Sequence, residues 1–355
     1  MKLLIFGSNS QTGLELTRLL DNHGVDYVSL ATDEVDVLKT KDIIRAVGKA
    51  NPTQLINVSN YANLQLVESD PEAAKKCDQI NTEGVASLGK VCEQVGIPII
   101  HHSSSFVFDG RQKGTYTEED KVNPQGRYGK SKWYGERALK AEAKRHIILR
   151  TDWLFSSHRH QYFDRVIAEC KENKGKVQVV DNRFSPTHAF DVARVIYAIV
   201  NQIDCNADVW GTYHYNTIQP VNQGQFVQHL LEEAAKLDKA LDKLLPSLDI
   251  ELLPVELPYI PNSALNCEKL KATFGIKQRS RVEGIKAVLD ELYGVRKPAA
   301  RKKKPKATVK AKTNARKAPS KADKAKKKAD VKKQTTAAKK SRRSQPSAKK
   351  AAKQK

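Results

Sequence analysis

A short apolar segment followed by a glycine-bearing turn restricts the fold of this chain more than any other sequence feature. Residues 3–6 (Leu-Leu-Ile-Phe) carry no polar side chain, as expected of a parallel strand covered on both faces. Gly7 and Gly13 bracket the turn, and an amphipathic segment follows at 14–20. This order is typical of dinucleotide-binding folds, in which a helix N-terminus offers backbone N–H groups to a pyrophosphate. Ser10 takes the middle glycine position, where its Cβ would crowd the phosphate, and a plain strand-loop-helix turn is the alternative.

The same alternation of strand and helix continues along the chain. Strands are predicted at 27–30, 54–58, 98–102 and 146–149, and helices at 41–50, at 71–95 and after residue 127. Repeated β-α units favour an α/β fold with a doubly wound parallel sheet, whose ligands bind at the carboxyl ends of the strands. The second strand ends with neither the acid that would grip a ribose 2′-OH nor an Arg for a 2′-phosphate, so NADH and NADPH both remain open.

Charge divides the chain into two parts. Residues 296–355 contain 26 Lys or Arg and two Asp, a net charge of +24 within a whole-chain +22, which leaves residues 1–295 at −2. The 296–355 segment has no aromatic residue and cannot bury enough apolar surface to order itself. We predict one folded domain at 1–295 and a disordered basic tail at 296–355, similar in composition to Lys- and Ala-rich histone-like tails. Such a tail would attract nucleic acid or another polyanion without sequence specificity, and a solvated polycation with no dedicated partner is the alternative.

The spacing of the cysteines and the hydropathy of the sequence indicate the cellular compartment, metal binding and membrane association to be expected. The five cysteines are widely spaced and form no CxxC pair, which argues against a disulfide framework and a zinc site, so no metal is expected. A reducing cytoplasm fits this pattern best. The N-terminal apolar run is too short for a signal peptide, and no run approaches the roughly 18 apolar residues of a membrane span.

Tyr128 and Lys132 are the strongest candidates for acid-base chemistry. They lie four residues apart in a segment rich in helix formers, so both side chains would lie on one helical face. A phenol titrates at about pH 10, and a neighbouring ammonium lowers its pKa by favouring the phenolate. A tyrosine tuned in this way is a general acid-base group. Taken alone, the same pair on a solvated surface helix is the simpler interpretation.

Hydroxyl groups follow the strand predicted at 98–102. Ser103, Ser104 and Ser105 come directly after two histidines, His101 and His102. At the carboxyl end of a buried strand such hydroxyls can hydrogen-bond a substrate carbonyl, or they can bond their own backbone. The histidines have no cysteine or carboxylate companion and are interpreted as packing residues.

Taken in order, these motifs resemble the extended short-chain dehydrogenase/reductase family, and more narrowly its dTDP-4-dehydrorhamnose reductase branch. Residues 57–62 (Asn-Val-Ser-Asn-Tyr-Ala) are similar to that branch's N-A-A-A-Y-T, residues 103–110 to its S-T-D-Y-V-F-D-G, and residues 149–153 to its L-R-T-S-W. The likeness covers roughly residues 1–293. It implies a Rossmann-type domain with a smaller substrate-binding part, mainly 155–180 and 220–293. It also implies NADPH or NADH as cofactor and a nucleotide-linked 4-keto-6-deoxy sugar as substrate, and it leaves a homodimer open.

The resemblance also implies roles for individual residues. Ser104 would be the catalytic hydroxyl, Tyr128 the proton donor, and Lys132 the group that binds the nicotinamide ribose and lowers the tyrosine pKa. The positions implied to contact the cofactor are Gly7, Ser10, Gln11, Thr12, Gly13, Asp36, Val37, Asn60, Tyr61, Ala62, Tyr128 and Lys132. The positions implied to contact the sugar nucleotide are Ser104, Ser105 and Trp153.

Departures from the branch's pattern gather near the predicted substrate. Ser105 and Phe106 replace its Asp-Tyr, Asn60 and Ala62 replace its Ala and Thr, and Ile260 stands where an Arg usually precedes Pro-x-Asn-Ser. The loss of an acid, a phenol and a guanidinium removes polar contacts that a selective pocket would use. Two other hypotheses therefore stay open. The chain could be a weak or inactive nucleotide-binding regulatory or scaffold protein, as some relatives of this branch are beside methionine adenosyltransferase, or a nucleic-acid-associated protein whose folded body is secondary.

Overall fold

The structure, a computed structural model, describes residues 1–295. Its strands are β1 (Lys2–Phe6), β2 (Asp26–Leu30), β3 (Gln54–Asn57), β4 (Ile99–Ser104), β5 (His146–Thr151), β6 (Leu154–Phe155), β7 (Lys176–Val180), β8 (Arg183–Phe184), β9 (Thr187–His188), β10 (Gly211–Tyr215), β11 (Val221–Asn222) and β12 (Asp249–Leu253). Its α-helices are α1 (Gln11–His23), α2 (Thr40–Ala50), α3 (Leu64–Ser69), α4 (Pro71–Asp78), α5 (Gly84–Val95), α6 (Arg127–Glu142), α7 (Gln161–Glu172), α8 (Ala189–Asp204), α9 (Gln223–Ala235), α10 (Lys239–Asp242), α11 (Glu268–Phe274) and α12 (Arg281–Leu292).

A six-stranded parallel sheet in the order β10-β5-β4-β3-β1-β2 forms the centre of the domain. Successive side chains of β1 enter opposite faces of this sheet. Leu3 and Ile5 pack with α1 and α8, whereas Leu4 and Phe6 pack with α2, α5 and α6. Both faces are therefore covered by helices, and the predicted doubly wound α/β fold is confirmed. The carboxyl ends of β3, β4 and β5 are neighbours on one edge of the sheet.

The helix predicted at 71–95 is interrupted. A π-helical turn, Gln79–Glu83, joins α4 to α5 and carries the buried Asn81. The Asn81 side chain accepts a hydrogen bond from the Tyr61 N–H at 3.0 Å and donates to the Ser131 hydroxyl at 3.0 Å. A Cβ at Gly135 would lie 2.1 Å from the Asn81 carbonyl oxygen, so α6 approaches this turn closely. The irregular turn therefore fixes the loop after β3 against the helix that carries Tyr128.

A second hydrophobic cluster builds the smaller part of the molecule. Its residues come from 155–184, 221–241 and 285–289, which include α7, α9 and α12, and the Phe226 ring lies at its centre against Phe155, Phe163 and Phe184. The parallel pair β7 and β12 flanks it. Although α11 lies inside the 220–293 range, its Leu270 and Phe274 pack into the core of the main sheet instead.

The predicted basic tail, residues 296–355, lies outside the described residues. Within residues 1–295, the helices are too short and too polar to cross a bilayer. The longest, α6 and α8, have 16 residues each, whereas a span needs about 20.

Candidate active site

The glycine turn after β1 is built by close backbone approaches. Gly7 has φ +84, and a Cβ there would lie 2.4 Å from the Ser59 nitrogen, while a Cβ at Gly13 would lie 2.4 Å from the Gly7 oxygen. Neither position could carry a larger residue without displacing the backbone. Ser10 is the N-cap of α1, and its hydroxyl accepts a hydrogen bond from the Gly13 N–H at 3.0 Å. The turn therefore presents the N-terminus of α1 at the carboxyl end of β1, as an anion site requires.

A cavity of about 910 Å³ opens beside this turn. Five of the residues predicted to contact the cofactor line it: Gly7, Asp36, Val37, Asn60 and Tyr61. The Asp36 carboxylate pairs with the Lys39 ammonium at 3.0 Å, and this hydrogen bond lowers the pKa of Asp36. Asp33 also lines the cavity. The sequence reasoning missed it because it looked for an acid at the end of β2 itself, whereas the turn after β2 carries Asp33 back to the cavity wall.

A second, smaller cavity of about 240 Å³ lies at the carboxyl ends of β4 and β5. Predicted residues on its wall are Gln11, Asn60, Ala62, Ser104, Tyr128 and Trp153, and unpredicted ones include His102, Thr151 and Asp152. Asn60 lines both cavities. Asn60 therefore stands between the two cavities, and Tyr128 lies beside it on the wall of the smaller one.

Ser104, Tyr128 and Asn60 converge at this junction. The Tyr128 phenol is buried, and its oxygen accepts a hydrogen bond from the Asn60 Nδ2 at 3.0 Å and another from the Ser104 hydroxyl. Ser104 ends β4, Asn60 follows β3, and Tyr128 begins α6, so neighbouring strands and the crossing helix bring the three side chains together.

Lys132 lies one turn further along α6 and is also buried. Its Nζ donates a hydrogen bond to the His102 carbonyl oxygen at 2.8 Å. Burial lowers the pKa of Lys132 to about 8, and the nearby Glu136 carboxylate opposes that change. The amine is held beneath the cavity floor by the backbone of β4.

The electrostatics of Tyr128 depart from the expectation that Lys132 lowers its pKa. Burial raises the pKa of Tyr128, and the hydrogen bonds from Asn60 and Ser104 oppose that rise. The Nζ of Lys132 donates to the His102 carbonyl oxygen in this arrangement. The groups that favour the phenolate here are an amide and a hydroxyl.

A buried charge network fixes α6 on the sheet. The Glu136 carboxylate accepts hydrogen bonds from Arg150 Nη2 at 2.6 Å, Arg150 Nε at 2.8 Å and the Ser103 hydroxyl at 2.6 Å. Arg150 Nη1 lies 3.3 Å from His214 Nε2, and its guanidinium covers the Phe108 ring. Glu136 and Arg150 are at most 1% exposed. This bidentate pair links α6 to β4, β5 and β10, and so sets the height of Tyr128 and Lys132 above the strand ends.

Comparison with known proteins now places the chain in a family. The family described as "RmlD substrate binding domain" matches residues 1–294. The chain belongs to this family. A dTDP-4-dehydrorhamnose reductase of Burkholderia thailandensis is 30% identical over 287 residues, covering 78% of this chain and 94% of that protein. The enzyme of the same name from Escherichia coli K12 is 28% identical, covering 82% of this chain and 98% of that protein.

Solved structures of the same kind share the fold. The crystal structure of a dTDP-4-dehydrorhamnose reductase from Clostridium acetobutylicum has a TM-score of 0.69 at 27% identity, covering 82% of this chain and 99% of that one. A Bacillus anthracis dTDP-4-dehydrorhamnose reductase solved with NADP has a TM-score of 0.67 at 21% identity, covering 82% and 98%. The family resemblance read from the sequence is thereby confirmed for the folded domain.

This RmlD-family chain differs from the branch pattern at Ser105, and here a sequence prediction needs correction. Ser105 was expected to touch the sugar nucleotide, but it is fully buried and its hydroxyl donates to Asp152 Oδ1 at 2.9 Å. The alternation of the chain at the end of β4 sends Ser104 to the cavity and Ser105 into the interior.

The branch pattern has an Asp where this chain has Ser105. In this chain the nearby Asp152 supplies a carboxylate instead. Its other oxygen, Oδ2, accepts from the Ser185 N–H at 2.6 Å, and the Ser263 hydroxyl also bonds this carboxyl. Burial raises the pKa of Asp152 to about 6, against the opposing effect of these hydrogen bonds. In this family member the acid stands on the neighbouring strand end and ties four segments together at the cavity wall.

His102 needs a second correction. It was interpreted as a packing residue, but it lines the smaller cavity, and its Nε2 lies 2.8 Å from the Thr151 hydroxyl. Burial, aided by the charge of Lys132, lowers the pKa of His102 to about 3, so the ring is neutral at physiological pH. His101 fits the interpretation, since it is fully buried and its Nδ1 lies 3.1 Å from the Asn57 amide. Across residues 1–295, no group of three or more His, Cys, Asp or Glu side chains could hold a metal ion.

The substitution at Ile260 lies at a contact between two loops. Ile260 is buried, and a Cβ at Gly110 would lie 2.8 Å from its Cβ. The Asn262 amide donates to the Gln112 and Gly114 carbonyl oxygens at 2.6 and 2.7 Å. Where the pattern has an Arg, this chain therefore has an apolar contact that packs the 260–262 loop against the 110–114 loop.

Proposed function

We propose that this chain is an NAD(P)H-dependent reductase of a nucleotide-linked 4-keto-6-deoxy sugar, of the dTDP-4-dehydrorhamnose reductase type. One observation carries the proposal: the Tyr128 side chain, hydrogen-bonded by Ser104 and Asn60, lies on the wall of the smaller cavity, beside Asn60, which also lines the larger one. Relatives that align over nearly their whole length bear the name of that enzyme, which supports the choice of substrate class.

The residues present fit a dinucleotide in the larger cavity. Gly7 and Gly13 let the backbone pack closely around the N-terminus of α1, where a pyrophosphate is stabilised. Asn60 Oδ1 is buried without a hydrogen-bond partner at the junction of the cavities. In this assignment Asp36 and Val37 contact the adenine side, and Asn60, Tyr61 and Ala62 form the loop on the nicotinamide side. When bound, the reduced nicotinamide supplies a hydride to the sugar carbonyl carbon.

The remaining steps belong to side chains of this chain. Tyr128 gives its proton to the sugar carbonyl oxygen, and Ser104 holds that oxygen. Lys132 uses one N–H on the His102 carbonyl and has two further N–H groups to offer a ribose hydroxyl. Trp153, packed against Phe155, Tyr162, Phe184 and Phe226, gives the smaller cavity a firm aromatic wall for the nucleotide sugar. The smaller part of the molecule faces the substrate.

Cofactor oxidation by the purified protein tests this function. With NADPH or NADH and a dTDP-4-keto-6-deoxy sugar, absorbance of the reduced cofactor should fall, and Tyr128→Phe should lower kcat by about 10²- to 10⁴-fold, the usual contribution of a positioned acid. Tyr134→Phe, at a tyrosine of α6 that is 49% exposed, is the matched control and should retain wild-type activity. Undiminished turnover in Tyr128→Phe would refute the assigned role, and calorimetric cofactor binding without turnover by the wild type would favour the regulatory alternative.

We further propose that residues 296–355, with their net charge of +24, bind nucleic acid or another polyanion without sequence specificity. A gel shift at several salt concentrations, comparing the full chain with a version ending at Val295, tests this. Equal binding by the shortened protein would contradict it. Light scattering on the same two proteins tests whether the chain forms a homodimer.

A reducing compartment such as the cytoplasm is the environment we propose for this protein. All five cysteines are unpaired in the structure, and four of them are buried. Thiols kept in this state suit a reducing environment. Thiol titration of protein isolated from its native cells should recover five free thiols in denaturant, and without denaturant chiefly the exposed Cys205.

A further inference from the structure

Asn60 contacts the proton donor directly, through a side chain that the resembling sequences lack. Its Nδ2 donates to the Tyr128 oxygen at 3.0 Å, where the branch pattern N-A-A-A-Y-T has an alanine. The loop that carries it is firmly held: the Asn57 side chain accepts from the Ser59 N–H at 3.1 Å, and Asn81 bonds both the N–H and the carbonyl of Tyr61. The Asn60 amide is therefore fixed in place by its neighbours along the chain.

The other end of the same amide argues against a purely structural role. Asn60 Oδ1 is buried and has no hydrogen-bond partner among the described residues. Buried polar atoms that serve folding are nearly always paired. The Asn60 amide gives its N–H to the reacting phenol and leaves its own oxygen unpaired, which directs attention to the Asn60–Tyr128 contact.

We propose that Asn60 is a catalytic residue of the reduction assigned above: its N–H holds the Tyr128 oxygen while the proton leaves and stabilises the phenolate that remains. The inference rests on the proposed function for its reaction but on the observed Asn60–Tyr128 contact for its chemistry. It adds an amide of the loop after β3 to the groups that act on the Tyr128 oxygen.

The geometry explains why the phenolate needs this donor. Burial disfavours the charged form of Tyr128, and the ammonium of Lys132 is bound to the His102 carbonyl. In the described structure the donors on the Tyr128 oxygen are Asn60 and Ser104. When Ser104 turns its hydroxyl proton to the substrate oxygen, Asn60 is the donor that stays on the phenolate.

Two substitutions separate this role from simple space filling. Asn60→Asp is nearly isosteric and keeps an acceptor but loses the N–H donor, while Asn60→Ala removes the whole amide and matches the branch pattern. Because a hydrogen bond to a charged group contributes about tenfold to a hundredfold, both variants should lose about that factor in kcat, with the KM for the sugar changed less than about threefold. Asn63→Asp, at the exposed N-cap of α3, controls for the added charge because Asp caps a helix as well as Asn.

A second readout does not depend on turnover. A fluorinated tyrosine placed at position 128 ionises at a lower pH than tyrosine, and fluorine NMR reports its pKa directly. That pKa should rise by about one unit in Asn60→Ala, equivalent to tenfold, and further in Asn60→Asp, where a carboxylate faces the phenol.

The outcomes distinguish this inference from the proposed function. Wild-type kcat together with an unshifted fluorotyrosine pKa in Asn60→Asp would overturn it, and so would a loss confined to KM. If the wild type turns over no sugar but the pKa shift appears, the proposed substrate fails while the hold of Asn60 on Tyr128 stands. If the enzyme is active and no pKa shift appears, this inference alone fails.

Discussion

The two walls of the candidate site are built in different ways. On the cofactor side, Gly7, Ser10 and Gly13 lie within one turn and contact one another there, and the one long-range approach is that of Gly7 to the Ser59 backbone. On the substrate side, Asp152 joins Ser105, Ser185 and Ser263, which come from distant segments. A wall of backbone and glycine is specified locally, whereas a wall of bonded side chains exists only once the fold has formed. The two walls should therefore respond differently to substitution.

The largest loss of stability is expected when the buried Glu136–Arg150 pair on the substrate side is broken. Arg150→Met leaves the Glu136 carboxylate buried without its bidentate partner, so the free energy of unfolding should fall by about 3–5 kcal/mol. Urea denaturation measures the loss. Arg45→Met breaks an exposed pair with Asp42 and should cost less than about 1 kcal/mol. Similar losses in the two variants would mean that this wall does not depend on its buried charges.

The next effect is a pH dependence that belongs to Asp152. Its folded pKa, about 6, lies above the usual value of 3.8, so its contribution to stability is fully present below about pH 4 and is lost as the pH rises through 6. The stability of the wild type relative to Asp152→Asn should therefore fall by about 2–3 kcal/mol between pH 4 and pH 6, by the conversion of about 1.4 kcal/mol per unit.

Asp238 provides a control of opposite sign. Its carboxylate pairs with the Lys171 ammonium at 2.6 Å, which lowers the pKa of Asp238. The stability of the wild type relative to Asp238→Asn should be constant above pH 4 and should fall as the pH drops below the usual value of 3.8. Thermal denaturation across this pH range measures both differences. If the stability difference between the wild type and Asp152→Asn does not change with pH, then burial does not raise the pKa of the Asp152 carboxyl.

On the cofactor side, Gly13→Ala tests the backbone wall. The new Cβ would lie 2.4 Å from the Gly7 oxygen, so the turn must open, at a cost of about 1–3 kcal/mol in stability and with a loss of cofactor affinity. Gly48→Ala, inside α2 with open space around the new Cβ, should instead stabilise the protein by about 0.5–1 kcal/mol. Calorimetry of cofactor binding should separate the two variants, and equal affinity would mean that the turn tolerates a side chain.

The same division explains how far the sequence could be read. The apolar strand before Gly7, the helical spacing of Tyr128 and Lys132 and the Ser104 position at a strand end are local patterns, and they predicted the sheet and the convergence of its edge residues. The approach of Asp152 to Ser105 and the presence of His102 on the cavity wall depend on the register of β4 against β5. The π-helical turn at Gln79–Glu83 depends on the packing of α6. No single segment of sequence contains those pairings.

The smallest change in stability is expected at Ser10, where the sequence predicted that the Cβ crowds the phosphate. The structure shows its hydroxyl capping α1 through the Gly13 N–H. Ser10→Ala should therefore cost about 1 kcal/mol of stability, whereas Ser10→Gly should cost only a few tenths, as is usual at an N-cap. Ser280→Ala, the N-cap of the distant α12, should lose a similar amount of stability and leave cofactor binding unchanged.

Cofactor affinity then decides what the serine does at the turn. If its Cβ crowds the pyrophosphate, Ser10→Gly should bind NAD(P)H more tightly than the wild type despite its slightly lower stability. If the capping hydroxyl instead keeps the first turn of α1 in order for the phosphate, both Ser10→Gly and Ser10→Ala should bind more weakly. Weaker binding in both would narrow the contrast between the walls, because one side chain would then be essential on the side that is otherwise made of backbone.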